Sequence, residues 1–220
     1  MASYTVGLDE SGKGDYFGPL VAAAVALSSS AIAELEALGL KESKRHSKAR
    51  VKEFARLIKS SYPTEVVLIS PARYNQLYKS FKNLNRLLAW AHATALENLL
   101  KRVKPEIVIL DRFSARDEFE KALKNLGRAA TILIEEKAEQ HLPVAAASVV
   151  ARGEFLEWME KASASLGIEL PLGSSSPAVV ECGCEIFKKG GLELLSRFAK
   201  LHFSLTGKVT KLCGEKDGKI

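Results

Sequence analysis

The sequence predicts an α/β protein built on a mixed sheet, and three observations lead there. An alternating apolar pattern at residues 4–9 is followed closely by a second apolar run at residues 19–27, near enough to pair as a hairpin. Later apolar runs alternate with amphipathic helical segments, the signature of strands and covering helices. Prolines and glycines punctuate most of the boundaries. A hairpin is antiparallel and strands joined through helices are usually parallel, so the sheet is mixed.

Each element has a local reason. Tyr4, Val6 and Leu8 alternate with Thr5, Gly7 and Asp9, which places Asp9 where the first strand gives way to loop. Residues 19–27, rich in Val and Ala, form the second strand. Ser28, Ser29 and Ser30 offer N-caps for a short helix over residues 31–38, which Gly39 ends. Ser47 caps a helix over 48–61, where Val51, Phe54, Ala55 and Ile58 make one apolar stripe, and Pro63 stops it. Residues 65–70 read as a strand. Pro71 opens a helix reaching about residue 81.

The longest amphipathic signal covers residues 85–103, with Leu87, Leu88, Ala91, Ala95, Leu99, Leu100 and Val103 at helical spacing and Pro105 beyond its end. Residues 106–110 form a buried-type strand with Asp111 directly after it. A helix over about 115–126 leads to a strand at 130–134, and helical periodicity resumes over 143–165. Small residues at 145–148 would let another backbone approach closely. The stretch 173–176 is a flexible joint before a helical tail.

At 220 residues and 47% hydrophobic content the chain can bury one full core. It is expected to be a single domain over residues 1–220, with about 170–220 as a C-terminal helical extension. No apolar run approaches the roughly 20 residues that cross a bilayer, and the start Met-Ala-Ser-Tyr has no signal-peptide character. A cytoplasmic, membrane-independent monomer with no obligate protein partner is the expectation. Three cysteines, Cys182, Cys184 and Cys213, include no C-x-x-C pair and are expected to be free thiols. Thirty-two Lys and Arg against 26 Asp and Glu give a net charge of +6, which suits a nucleic-acid partner.

Asp9 and Glu10 stand at the end of an apolar run, directly before the glycine-flanked Lys13. Neighbouring strand residues face opposite ways, so both acids serve one site only if the backbone bends after Asp9, a bend that Gly12 and Gly14 would permit. Gly7, Gly12 and Lys13 match G-x-x-x-x-G-K in spacing. The chemistry does not fit a phosphate loop: Gly14 stands where a Ser or Thr should ligate magnesium, and two carboxylates lie within the loop. Asp9, Asp111 and the acids following residue 134 instead mark strand ends, where function gathers in α/β sheets.

Asp9-Glu10-Ser11-Gly12-Lys13-Gly14-Asp15-Tyr16-Phe17-Gly18-Pro19 resembles the opening motif of the type 2 ribonucleases H, with Lys13 in the manner of ribonuclease HIII rather than HII. Further similarities follow in order: Glu42-Ser43-Lys44, with Glu in place of the family's Asp; Asn83-Leu84-Asn85 with Leu88-Ala89-Trp90; Asp111-Arg112-Phe113; Lys137-Ala138-Glu139; Ala146-Ala147-Ser148 through Ala151-Arg152; and Lys200-Leu201-His202-Phe203. The resemblance implies a ribonuclease H-like sheet flanked by helices. It also implies hydrolysis of the RNA strand of RNA/DNA hybrids, giving 5′-phosphate and 3′-hydroxyl ends.

By motif the family's four acidic ligands fall on Asp9, Glu10, Asp111 and Glu139, and the substrate contacts on Gly12, Lys13, Gly14, Ser43, Lys44, Ser148 and Arg152. Oxygen-only ligands select hard ions, so two Mg2+ or Mn2+ ions are the implied cofactors. His141 and His202 are expected to be structural or surface residues. The family's small N-terminal substrate-binding domain is not expected, because the catalytic motif begins at residue 7. The competing readings are HII-like cleavage at single ribonucleotides in duplex DNA, a hybrid-binding module without catalysis, and a more distant relative such as a transposase or resolvase.

Overall fold

β1 (Thr5–Ser11) and β2 (Leu20–Leu27) form the expected antiparallel hairpin, Thr5 opposite Leu27 and Ser11 opposite Val21. With β3 (Thr64–Ile69), β4 (Ile107–Asp111) and β5 (Ile132–Glu135) they make one sheet in the order β3-β2-β1-β4-β5. β1 pairs in parallel with β4, and β4 with β5, so the sheet is mixed as the sequence predicts. The computed structural model describes residues 3–40, 47–111, 116–123 and 130–214. Ser43, Lys44, Arg112 and Phe113 lie outside the described residues.

The helices are α1 (Ser29–Ala37), α2 (Lys48–Ser61), α3 (Pro71–Phe81), α4 (Leu84–Leu100), α5 (Arg116–Ala122), α6 (Leu142–Leu166), α7 (Pro177–Phe198) and α8 (Leu205–Gly214). Hydroxyl caps fix their starts. Ser28 Oγ accepts from the Ala31 amide, Ser47 Oγ from that of Arg50, and Ser70 Oγ from that of Arg73. The tail is helical, as expected, but α7 is broken at Gly190 and Gly191, the latter with φ +61°.

Two compact units share the chain. One comprises Met1–Ser11, Val21–Leu68 and Asn83–Leu156; the other comprises Gly12–Leu20, Ile69–Lys82 and Glu157–Ile220. In the first, β2 is buried throughout and α4 packs on β1. The backbone of α6 comes so close to β1 that a Cβ on Gly7 would lie 2.1 Å from the Pro143 carbonyl carbon and 2.2 Å from the Val144 nitrogen.

In the second unit, Phe17 bridges to Ala199, and the Tyr78 ring stacks on those of Tyr74 and His202. Among the described residues no helix is long and apolar enough to cross a membrane.

Two expectations are corrected. The strand does not yield at Asp9: its ladder continues through Asp9 opposite Ala23 and Glu10 opposite Ala22 to Ser11, because β2 supplies an unbroken partner. Nor are all three cysteines free. Cys184 on α7 and Cys213 on α8 are joined in a disulfide, since the packing of these two helices brings their Cα atoms to 5.9 Å. Their separation of 29 residues gave no local cue. Cys182 stays free and buried, its thiol pushed up to about 11 by burial and the nearby Glu185.

Gly7→Ala tests the close approach. The obstructing atoms are backbone and cannot swing aside, so chemical denaturation should show a loss of about 3 kcal/mol. A loss within a few tenths would mean that the start of α6 can shift freely.

Candidate active site

Leu8 and Leu110 are the last residues paired in the parallel ladder of β1 and β4. Asp9 and Asp111 are therefore the next residues at the same end of adjacent strands, and Asp111 pairs in turn with Glu135 of β5. Just beyond β5, a 3-10 turn over Ala138–Gln140 carries Glu139. Parallel strands thus deliver acids from three separate stretches of chain to one end of the sheet, where α/β proteins place their sites.

Strand parity sends the first two acids to different helices, yet the Glu10 charge still acts on the Asp9 carboxyl, so the two interact at the strand end without the bend that strand alternation calls for. Gly7 meets the start of α6, and Asp9, two residues on, accepts a hydrogen bond from Ser148 of the same helix. Asp9 Oδ1 also accepts from the Glu10 amide at 2.8 Å. Burial pushes the Asp9 carboxyl up to about 6, and the Glu10 charge adds to this; Ser148, the Glu10 amide and His92 pull the other way.

Glu10 faces α4, where its Oε2 lies 2.9 Å from Nε2 of the fully buried His92. An ionised carboxylate can only accept, so His92 Nε2 carries the proton and fixes how the Glu10 head is turned.

Asp111 is held by the turn that bears Glu139. Lys137 adopts φ +58°, in the left-handed region that non-glycine residues seldom enter, and swings the chain back so that the Ala138 amide donates to Asp111 Oδ1 at 3.2 Å. The Ala138 methyl anchors this turn by packing with Ile109 and Val144 in the core.

Glu139 is half-buried there, Glu136 is exposed, and Glu135 is engaged by His141 Nε2 at 2.8 Å. Among the described residues no three or more His, Cys, Asp or Glu side chains gather closely enough to enclose an ion. The four acids share one end of the sheet, and Asp9, Glu10 and Asp111 are each oriented by their own neighbours.

The segment after β1 contains the glycine-lysine-glycine sequence. Gly12 has φ +86°, which requires glycine, and Lys13 is exposed. Gly14 differs: its φ is not positive, and a Cβ added there meets nothing within 4 Å. The fold itself gives no reason for glycine at 14. On α6, Arg152 follows Ser148 by one turn, with its guanidinium 5.1 Å from the Phe155 ring centroid.

His141 and His202 have structural partners, as expected. His92 is the site residue that sequence reasoning missed. It lies on the α4 stripe among Leu88, Ala91, Ala95 and Leu96, and a polar residue at a buried register was the available signal.

The sequence profile of the Ribonuclease HII family matches residues 6–206. A ribonuclease HIII from Protochlamydia amoebophila is 41% identical over 210 residues, 94% of this chain and 69% of that protein; one from Enterococcus faecalis is 35% identical over 94% of this chain and 69% of that protein. Among solved structures, Bst ribonuclease HIII in complex with Mn2+ superposes with a TM-score of 0.89 at 34% identity, covering 98% of this chain and 71% of that one. Ribonuclease H2 from Pyrococcus horikoshii gives 0.81 at 25% identity, covering 97% of this chain and all of that one.

The raised Asp9 carboxyl has a consequence for stability in chelator-treated protein. Between the ordinary value of 3.8 and about 6 the folded state binds more protons than the unfolded state, so stability falls as pH rises through this window. Asp9→Asn should abolish that fall and be more stable than the parent at pH 7 by about 3 kcal/mol, with no gain below pH about 4. Urea denaturation across the range checks it. A variant less stable at every pH would show that the ionised carboxylate is fully compensated.

Proposed function

Because this chain belongs to the ribonuclease HII family, on its ribonuclease HIII branch, we propose that it hydrolyses the RNA strand of RNA/DNA hybrids with Asp9, Glu10, Asp111 and Glu139 as the ligands of two divalent ions, Mg2+ or Mn2+. The chain is an endoribonuclease of the ribonuclease H type. The observation that carries the ligand assignment is the register of β1 and β4, which sets Asp9 beside Asp111 at one strand end.

The donor set fits a hard cation. It is all carboxylate oxygen, and the Asp9 charge is opposed by burial and by Glu10, a conflict that a cation would relieve. Bound divalent ions supply Lewis-acid activation of the attacking water and stabilisation of the leaving 3′ oxygen.

The residues of the chain do the rest. Ser148 and the Glu10 amide hold the Asp9 head, His92 holds that of Glu10, and the Ala138 amide holds that of Asp111. Such supporting groups fix ligand orientation before the ligands are needed. Ser148 therefore acts through Asp9 in this reading, in addition to the substrate contact that the family motif implies.

Gly12, Lys13 and Gly14 are assigned to the substrate. Sensing 2′-hydroxyls calls for backbone that can come close, and the open surroundings of Gly14 leave its missing Cβ to be explained by something outside the chain. Lys13, exposed on the same segment, supplies charge for a phosphate. Ser43 and Lys44 complete the assignment as phosphate contacts, and Arg152 as a further substrate contact. The reading has the chain acting as a monomer in the cytoplasm.

Two comparisons test it. Glu139→Gln should lower hybrid cleavage at least about a hundredfold, because even groups behind a ligand are worth 10- to 100-fold. The exposed Glu136→Gln should stay within about twofold. Equal losses would move the fourth ligand away from 139. Gly14→Ala should keep the melting temperature and raise KM for the hybrid roughly tenfold. An unchanged KM would free Gly14 from any substrate role.

A further inference from the structure

Lys200 has no exposure at all, and its ammonium is deep in the second unit. Its Nζ donates to the carbonyl of Gly18 at 2.6 Å and lies 5.9 Å from the centre of the Tyr74 ring. The Lys200 amide donates to the Tyr16 carbonyl, and the Gly18 amide to the Phe198 carbonyl, so residues 198–200 run along residues 16–18 like a short strand.

Asn75 secures the other side of this strip: its Nδ2 donates to the carbonyls of Ser196 and Ala199, and its Oδ1 accepts from the Leu201 amide. Asp15 Oδ1 accepts from the Gly173 amide at 2.8 Å, and the Tyr16 amide donates to the Gly173 carbonyl. The Asp15 amide in turn closes onto the Gly12 carbonyl.

We infer that Lys200 is a positioning residue that locks residues 15–18 in one conformation and thereby fixes the Gly12-Lys13-Gly14 turn for binding of the hybrid. The inference rests on the assignment of that turn to the substrate. Stability is a poor reason for a lysine in this place, since a buried ammonium loses its hydration and an apolar side chain of similar volume is often neutral or better. Burial holds the Lys200 ammonium down to about 7 despite the Asp15 charge nearby, which registers that cost. What the amine gives in exchange is direction: a donor on a long stem that reaches one carbonyl of the loop, where Met could fill the space but not hold the loop.

The test is a double-mutant cycle on binding of a short RNA/DNA hybrid without divalent ions, with an all-DNA duplex as control. Lys200→Met should keep its melting temperature within a few degrees and weaken hybrid binding about tenfold, raising KM while kcat at saturating hybrid stays within about twofold. Lys13→Ala should also weaken binding, and the double variant should bind hardly worse than Lys13→Ala alone, because Lys200 acts through the turn that carries Lys13.

Unchanged binding by Lys200→Met, or losses that simply multiply, would overturn the inference. If Lys13→Ala itself binds normally, the substrate assignment of the turn falls and the inference with it; if Lys13→Ala binds weakly while Lys200→Met does not, only the role of Lys200 falls. Should Lys200→Met not fold, Asp15→Ala releases the same loop from Gly173 and is expected to give the same loss and the same coupling, with normal binding counting against the inference.

Discussion

The backbone of Pro143 occupies the space where a side chain on residue 7 would stand, and much of the site depends on that exclusion. With no Cβ at Gly7, the first turn of α6 rests directly on β1. This sets Ser148, farther along α6, against Asp9, two residues farther along β1. It also seats Val144 beside Ile109 and Ala138, so the turn carrying Glu139 is pinned to β4 by the same helix. One missing methyl group thus governs the surroundings of Asp9, Asp111 and Glu139 together, and in a close-packed interior these positions cannot be adjusted one by one.

The electrostatics of the site run against those of the protein as a whole. A net charge of +6 draws a polyanion to the surface generally, whereas the strand ends concentrate carboxylates. Protein donors only partly balance them. Asp9 receives a hydroxyl and an amide, Asp111 an amide, and Glu10 an imidazole, while burial and mutual repulsion still hold Asp9 well above its ordinary value. Hydroxyl and amide donors fix direction without cancelling charge, so the Asp9 head is aimed while its demand for a cation persists.

How much was legible in the sequence follows from the range of the signals. The hairpin, the caps at Ser28 and Ser47 and the placement of Asp111 at a strand end are local patterns, and all appear in the structure. The persistence of β1 through Glu10 was not legible, because it depends on eight buried residues of β2 offering a full ladder rather than on the glycines downstream. His92 escaped because helical periodicity treats any residue on the buried face as core, and its partner lies 82 residues away. The bond between Cys184 and Cys213 needs two helices to meet, which spacing alone cannot supply. Lys200 was recognised only as part of a motif, since nothing in a lysine's neighbours along the chain announces full burial.

Gly7, Gly12 and Gly14 show why a motif match settles so little until each residue is explained. Gly7 and Gly12 have the spacing of a phosphate loop, but Gly7 lies inside a paired strand and is required by a helix pressed against it. Gly12 is required by a left-handed backbone, a constraint internal to its own residue. Gly14 is required by neither, which leaves room for the substrate contact proposed for it. Packing, conformation and encounter are different physical demands that the same letter satisfies. Only the last bears on substrate, and the fold separates it from the other two by leaving the space around that one residue open.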